Sequence, residues 1–166
     1  MNAPPTTDLC DAHEDLLDRG ALQVMQPGLI ALGRRGAFHG AASTLRLYED
    51  NSLLAESVRQ PGDGGVLVVD AGGSLRRAVL GGNLARAAQE HGWSGVIVFG
   101  AVRDAEEIDA CAIGVRALAL CPRRPLKRGA GERQVEVSFL GVRVRPGAWV
   151  YADRDGVLVS DTPLHT

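Results

Sequence analysis

VLVVDAGGS (66–74), LRRAVLGGNLARAAQEHG (75–92) and WSGVIVFGAVRD (93–104) follow one another without a break. They read as strand, glycine turn, helix and strand, a βαβ unit. Neither apolar run alternates with polar residues, which is the pattern of a parallel strand covered on both faces. Leu84, Ala85, Ala87 and Ala88 supply the helix and Gly92 its stop. Downstream, a helical turn is expected over Ala105–Ala110 and a strand over Val115–Leu120, ending at Pro122. The stretch ERQVEVSFLGVRVRPGAWVYADRDGVLVS (132–160) alternates with period two and turns at Leu140-Gly141, Pro146-Gly147 and Asp155-Gly156, as an antiparallel meander does. Upstream, Asp8 opens a helix that runs to Gly20, with Leu9, Ala12, Leu16 and Leu17 on roughly one face. LIALGRRGAFHGAASTLRLYED (29–50) holds two short strand candidates. A short helix over Asn51–Arg59, capped by Asp50 or Asn51, ends before the PGDGG turn. The expected class is α/β, one domain over residues 1–166, with the central βαβ unit followed by the meander.

Composition narrows the function. Of 166 residues, 45% are hydrophobic, 23% charged and 4% aromatic, enough for a full core. The formal charge is −2 and the basic residues are scattered apart from those around Arg123–Arg133, so nucleic acid is not an expected partner. No apolar run approaches the roughly 18 residues of a membrane span. Cys10, Cys111 and Cys121 have neither disulfide nor zinc spacing, and the acidic N-terminus has no apolar leader, so a cytoplasmic protein is expected. Lys127 is the single lysine and reads as an exposed loop residue in PRRPLKRGAGER.

Two segments stand out for chemistry. Asp70-Ala71-Gly72-Gly73 follows a strand, but GxGxxG and P-loop spacings are absent, so the glycines are read as a packing turn. Leu80-Gly81-Gly82-Asn83-Leu84 interrupts the helix pattern, and Gly100-Ala101-Val102-Arg103-Asp104 closes the next strand. Ligands of open α/β sheets bind beyond the carboxyl ends of strands, where Arg103 and Asp104 fall. Glycines opening a helix present N–H groups that suit a small carboxylate. Arg103 offers a fork for two oxygens and Asp104 a hard oxygen for Mg²⁺ or Mn²⁺. The competing reading is a surface Arg–Asp pair beside glycines that only start a second helix. His13, His39, His91 and His165 have no metal spacing, Trp93 and Trp149 read as packing beside strands, and Asp153 with Asp155 reads as a hairpin turn.

The stretches VVDAGGSLRRAVLGGNLARAAQEHGWSGVIVFGAVRD and YADRDGVLVS, with DLCDAHED and FHGAASTLRLYEDNSLL, resemble the RraA-like family. That family unites the regulator of ribonuclease E activity with 4-hydroxy-4-methyl-2-oxoglutarate aldolases. The resemblance implies a swivelling β/β/α domain, assembled as a homotrimer or dimer of trimers with sites at subunit contacts. It implies that the backbone at Gly81, Gly82, Asn83 and Leu84 holds a pyruvyl group, that Arg103 contacts substrate, and that Asp104 binds the divalent metal. Many catalytic members carry an aspartate where Gly82 stands. Glu107 fits an acidic position that commonly follows the arginine–aspartate pair. The chain ends soon after Asp161, so the acidic residue that some aldolases send into a neighbour's site from a longer C-terminus is not expected.

The implied activity is a Mg²⁺- or Mn²⁺-dependent lyase that forms pyruvate. It would cleave 4-hydroxy-4-methyl-2-oxoglutarate-type substrates by retro-aldol chemistry and decarboxylate oxaloacetate, with Glu107 or a water on the metal as candidate base. The alternative is a noncatalytic regulator that docks on an RNA-processing endonuclease without contacting RNA. A demethylmenaquinone methyltransferase, another label in this family, is not expected without a nucleotide fingerprint.

Overall fold

The computed structural model describes residues 2–165. In chain order its elements are α1 (Thr6–Ala12), α2 (Glu14–Asp18), β1 (Leu22–Val24), β2 (Ile30–Leu32), β3 (Phe38–Arg46), α3 (Ser52–Ser57), β4 (Val66–Asp70), β5 (Ala78–Leu80), α4 (Gly82–Glu90), β6 (Gly95–Val102), α5 (Ala105–Asp109), β7 (Gly114–Leu120), β8 (Glu132–Arg133), β9 (Val137–Phe139), β10 (Val142–Val144), β11 (Trp149–Ala152) and β12 (Val157–Ser160). The strands β3, β4, β6 and β7 are parallel neighbours, and β2 closes their edge antiparallel to β7. On the other side β11 pairs antiparallel with the first half of β3, and β12 and β1 follow outward.

Successive side chains of a strand point to opposite faces, and β4 shows what covers each. Leu67 and Val69 pack with Leu54 and Val58 from α3 and its end and with Ala85 and Ala88 of α4. Val66 and Val68 pack with Val137, Phe139, Val142 and Val144 of the β9–β10 hairpin. The sheet is therefore sandwiched between a helical layer and a second β layer, a β/β/α arrangement, and this double burial is why the run has no polar face. Each such aliphatic side chain contributes about 1.5–3 kcal/mol. A smaller cluster seats α1 and α2 on the far sheet through Leu9, Leu16 and Leu17 against Leu22, Tyr151 and Leu158.

Three sequence expectations need correction. The first helix begins at Thr6 and breaks at His13, which has φ −133° and ψ 40° and separates α1 from α2. Its start is set by tertiary contact: the Thr6 N–H and hydroxyl both donate to the Asp153 carboxylate, each at 2.8 Å. The segment before Gly81 is no helix. Ala78, Val79 and Leu80 are at most 2% exposed and form β5, parallel to β6, with the Ala78 N–H bonded to Arg123 O. Burial on every side overrides helical propensity there.

The third correction concerns the C-terminal meander, which is divided among partners. β8 pairs with β3, β9 and β10 form a separate hairpin, and β11 and β12 join the far sheet. Its turn at Leu140-Gly141 is as expected: both residues have positive φ, 46° and 75°, the pair that matches the twist of a two-residue hairpin. The second of the two short strand candidates in 29–50 is part of one nine-residue strand, β3, which starts at Phe38 and runs through Gly40. The Asp50 Oδ1 accepts the Ser52 N–H at 2.9 Å and so caps α3, whereas Asn51, although at the N-cap position, makes no capping bond.

Candidate active site

Arg103 and Asp104 follow directly on β6, and Gly81 follows β5 before α4 begins at Gly82. Because β5 lies parallel to β6, these two ends meet: the Arg103 N–H donates to Leu80 O at 2.9 Å. Asp104 is the N-cap of α5 in the left-handed region, φ 62° and ψ 51°, and its side chain does not cap its own helix. Its Oδ2 instead accepts the Gly82 N–H at 3.0 Å. A left-handed non-glycine residue and a forgone cap each cost on the order of 1 kcal/mol, so the carboxylate is held in this direction by the rest of the fold. Gly81 makes the approach possible, since a Cβ there would stand 2.7 Å from Asp104 Oδ2.

Gly81, Asn83, Leu84, Arg103 and Asp104 line one cavity of about 280 Å³. The structure thus brings these residues to one cavity, while Gly82 and Glu107 are not on its lining. The Gly82 N–H is spent on Asp104. Asn83 and Leu84 stand in the first turn of α4, where a helix has no acceptor of its own for the N–H. Arg103 is half-buried and its Nη1 makes only a long contact, 3.5 Å, to Pro122 O. Among the described residues neither Arg103 nor Asp104 forms an ion pair, so they are not a surface Arg–Asp pair.

Glu107 lies beside Gly82. A Cβ on Gly82 would fall 2.6 Å from Glu107 Cβ and collide with its carboxylate. The aspartate many relatives are expected to carry at Gly82 has no room here, because Glu107 occupies that space. Arg86 Nη2 lies 4.0 Å from Glu107 Oε2. Among the described residues no three His, Cys, Asp or Glu side chains are grouped to hold a metal. Asp104 is nevertheless a fitting donor for one kind of ion: Mg²⁺ and Mn²⁺ take hard oxygens, and Mg²⁺ is commonly held by one or two carboxylates with water completing the shell.

Three residues of this cavity were missed or discounted from the sequence. Asn51 and Arg59 reach it from the start and end of α3, and Lys127 from the loop after β7. They lie far from Arg103 along the chain, and no local pattern marks them. A larger cavity, about 590 Å³, lies between Glu56, Trp93 and Arg133; it shares Arg59 with the first but not Arg103, and the Glu56–Arg133 ion pair sits in its wall.

Elsewhere, Asp70 Oδ1 accepts the Gly72 N–H at 2.9 Å and Tyr48 packs on Gly72, so that turn closes on itself. Arg116, unremarked in the sequence, is 4% exposed, with its guanidinium bonded to the carbonyls of Val115, Gly36 and Asp153 and 5.2 Å from the Phe38 ring. Burial pushes its pKa down, opposed by the nearby Asp153 charge.

A mixed sheet between helices and a second β layer, with an Arg–Asp pair at a strand end facing a glycine-opened helix, defines the class, and comparison with known proteins agrees. The family model described as RraA-like, Aldolase/RraA, matches residues 6–159, and the chain belongs to the RraA-like family. It is 55% identical over 161 residues to a protein of Cupriavidus necator provisionally named 4-hydroxy-4-methyl-2-oxoglutarate aldolase, covering 97% of this chain and 98% of that one. Among solved structures, it is similar to the RNA-processing inhibitor RraA from Thermus thermophilis, with TM-score 0.91, 44% identity, and 98% and 95% of the two chains covered. It is also similar to a protein of Geobacillus kaustophilus described as an S-adenosylmethionine: 2-dimethylmenaquinone methyltransferase, with TM-score 0.92, 44% identity and 97% of each chain covered. No helix among the described residues is long and apolar enough to cross a membrane.

Proposed function

We propose that the protein is a divalent-metal-dependent lyase that forms pyruvate. It would do so by retro-aldol cleavage of 4-hydroxy-4-methyl-2-oxoglutarate-type acids and by decarboxylation of oxaloacetate. The observation that carries this reading is the bond from the Gly82 N–H to Asp104 Oδ2, which joins the helix end that suits a carboxylate to the strand end that carries Arg103. The relatives named as aldolases support it. The glycine turn that follows β4 is closed by Asp70 and Tyr48 and does not favour the methyltransferase reading.

Both reactions break the C3–C4 bond of a 2-oxo acid and leave the electron pair on the C2–C3 unit as an enolate. In the retro-aldol reaction the C4 hydroxyl loses its proton and C4 becomes a carbonyl; in the decarboxylation C4 leaves as CO₂. Protonation at C3 then yields pyruvate. The chain's part is to stabilise charge as it develops. The Asn83 and Leu84 N–H groups at the α4 N-terminus receive the carboxylate, with the helix dipole favouring the anion. Arg103 is permanently charged, has no competing carboxylate, and presents a fork to the enolate oxygen. Asp104, with Oδ2 fixed by Gly82, is the residue that would hold Mg²⁺ or Mn²⁺, whose charge polarises a carbonyl oxygen when bound. Glu107, next to the helix start, is the side-chain candidate to move the hydroxyl proton.

Purified protein is expected to release pyruvate from both substrates only with Mg²⁺ or Mn²⁺ present. Asp104→Ala should abolish this and Arg103→Ala reduce it by about 10²–10³-fold. No metal-dependent turnover above a buffer control would remove the lyase reading. The similarity to an RNA-processing inhibitor favours a second reading, a regulator that docks on an endonuclease, and direct binding at physiological salt tests it. The homotrimer or dimer of trimers implied by the family belongs to this proposal.

A further inference from the structure

The Arg103 cavity continues to a group of side chains that the pyruvyl chemistry leaves without a task. Asn51 is 8% exposed, lines the cavity, and its Oδ1 has no hydrogen-bond partner among the described residues. Buried side-chain amides are rarely left so, because the lost hydration is not repaid.

The neighbours of Asn51 are committed elsewhere. The Asp50 carboxylate accepts the N–H groups of Ser52 at 2.9 Å and Arg128 at 2.6 Å, and Ser52 Oγ accepts the Gly129 N–H at 2.9 Å. Leu126 bonds through its backbone to both Glu49 and Asn51. These bonds pin the 126–129 loop to the start of α3 and set Lys127 on the cavity wall. Arg59, tied to Ala55 O, lines the same space. Lys127 and Arg59, like Arg103, have no carboxylate partner among the described residues. Three cations therefore face a cavity whose single carboxylate is Asp104. At about 280 Å³ the space is at the small end of ligand cavities and suits a short diacid.

We propose that Lys127 and Arg59 form a subsite for the second carboxylate of a 2-oxo diacid, and that the Asn51 amide meets a hydroxyl between the two ends. The inference rests on the pyruvate-forming reading, since the α4 N-terminus must take the first carboxylate and Arg103 the enolate oxygen. A hydroxyl both donates and accepts, so it satisfies the amide in either orientation, which a carboxylate does not. The subsite makes the hydroxy diacid a better substrate than a 2-oxo monoacid of equal length.

Calorimetry with 2-oxoglutarate and 2-oxovalerate isolates the second carboxylate, because the two differ only in a terminal carboxylate against a methyl. The metal-loaded wild-type protein should bind 2-oxoglutarate about 10- to 100-fold more tightly. Lys127→Met and Arg59→Gln, both exposed positions, should each erase most of that ratio. Asn51→Ala should narrow the kcat/KM preference for 4-hydroxy-2-oxoglutarate over oxaloacetate, which has no hydroxyl. If wild-type protein binds the two acids equally, or if the Lys127 and Arg59 variants keep the full ratio, the subsite is wrong while the pyruvyl site stands. If wild-type protein binds neither acid, both readings fall together.

Discussion

Two Arg–Asp corners of this molecule use the same side chains to opposite ends. At the first, Asp153 is saturated: its carboxylate accepts the Thr6 N–H and hydroxyl, the Asp155 N–H at 2.9 Å and the Gly156 N–H at 3.3 Å. Arg116 beside it is buried and divided among three carbonyls. At the second, Asp104 accepts one N–H and Arg103 has one long contact to a carbonyl. A side chain whose bonding capacity is filled by the chain holds the fold, whereas one left with spare capacity at a cavity is available to a ligand. Residue type does not distinguish the two; the number of partners does.

Exchanging charge for amide at each corner tests that difference most severely. Asp104→Asn keeps a residue tolerant of the left-handed region and should lower kcat for pyruvate formation by about 10²–10³-fold, with a melting temperature near that of wild type. Asp153→Asn should do the reverse. It should cost about 2 kcal/mol, seen as a drop of roughly 4–8 °C in Tm, while the activity of the folded fraction is unchanged.

A smaller effect is expected at the contact between Gly82 and Glu107. Gly82→Ala puts a Cβ 2.6 Å from Glu107 Cβ and should cost about 1–3 kcal/mol through overpacking. Glu107→Ala removes the colliding carboxylate but not its own Cβ, so the double variant should recover only part of the loss. A coupling of at least about 0.5 kcal/mol in a double-mutant cycle would place the two in one packed unit.

The mildest test is acid. Burial pushes the Asp153 carboxyl up, but the bonds from Thr6, Asp155 and Gly156 outweigh it and hold the group below the usual aspartate range. At Asp50 burial is likewise outweighed, by bonds from Ser52, Arg128 and Ala130. A carboxylate whose pKa is depressed by folding adds stability above its unfolded value of about 3.9, and that stability is lost as pH falls through the lower folded value. Thermal melts should therefore decline as pH falls below about 5, with the decline shallower in Asp153→Asn.

Much of this architecture was readable in the chain. The unalternating runs at Val66–Val69 and Val96–Phe99 became the parallel centre, and the Leu140-Gly141 turn formed as written. Arg103 and Asp104 fell at the end of β6 and faced the Gly81–Leu84 segment. The errors share one cause. LRRAVL carries helical propensity yet forms β5 because it is enclosed by β6 and the 123 region, and Arg116 is buried under contacts from Gly36 and Asp153. Neither enclosure leaves a mark in neighbouring residues. The same is true of Asn51 and Lys127, which share a cavity with Arg103 where Asp50 and Ser52 grip the 126–129 loop.

Hydrophobic period, glycine placement and turn chemistry are local quantities, and they were enough to determine from sequence the α/β class, the central parallel strands and the two segments that would confront each other, while the β/β/α layering came from the family resemblance. Which N–H is spent on Asp104, which cations share its cavity and which aspartate is structural were decided only on folding. Those outcomes depend on contacts between residues tens of positions apart, and a hydrogen bond or a close approach has no meaning until both partners are in place.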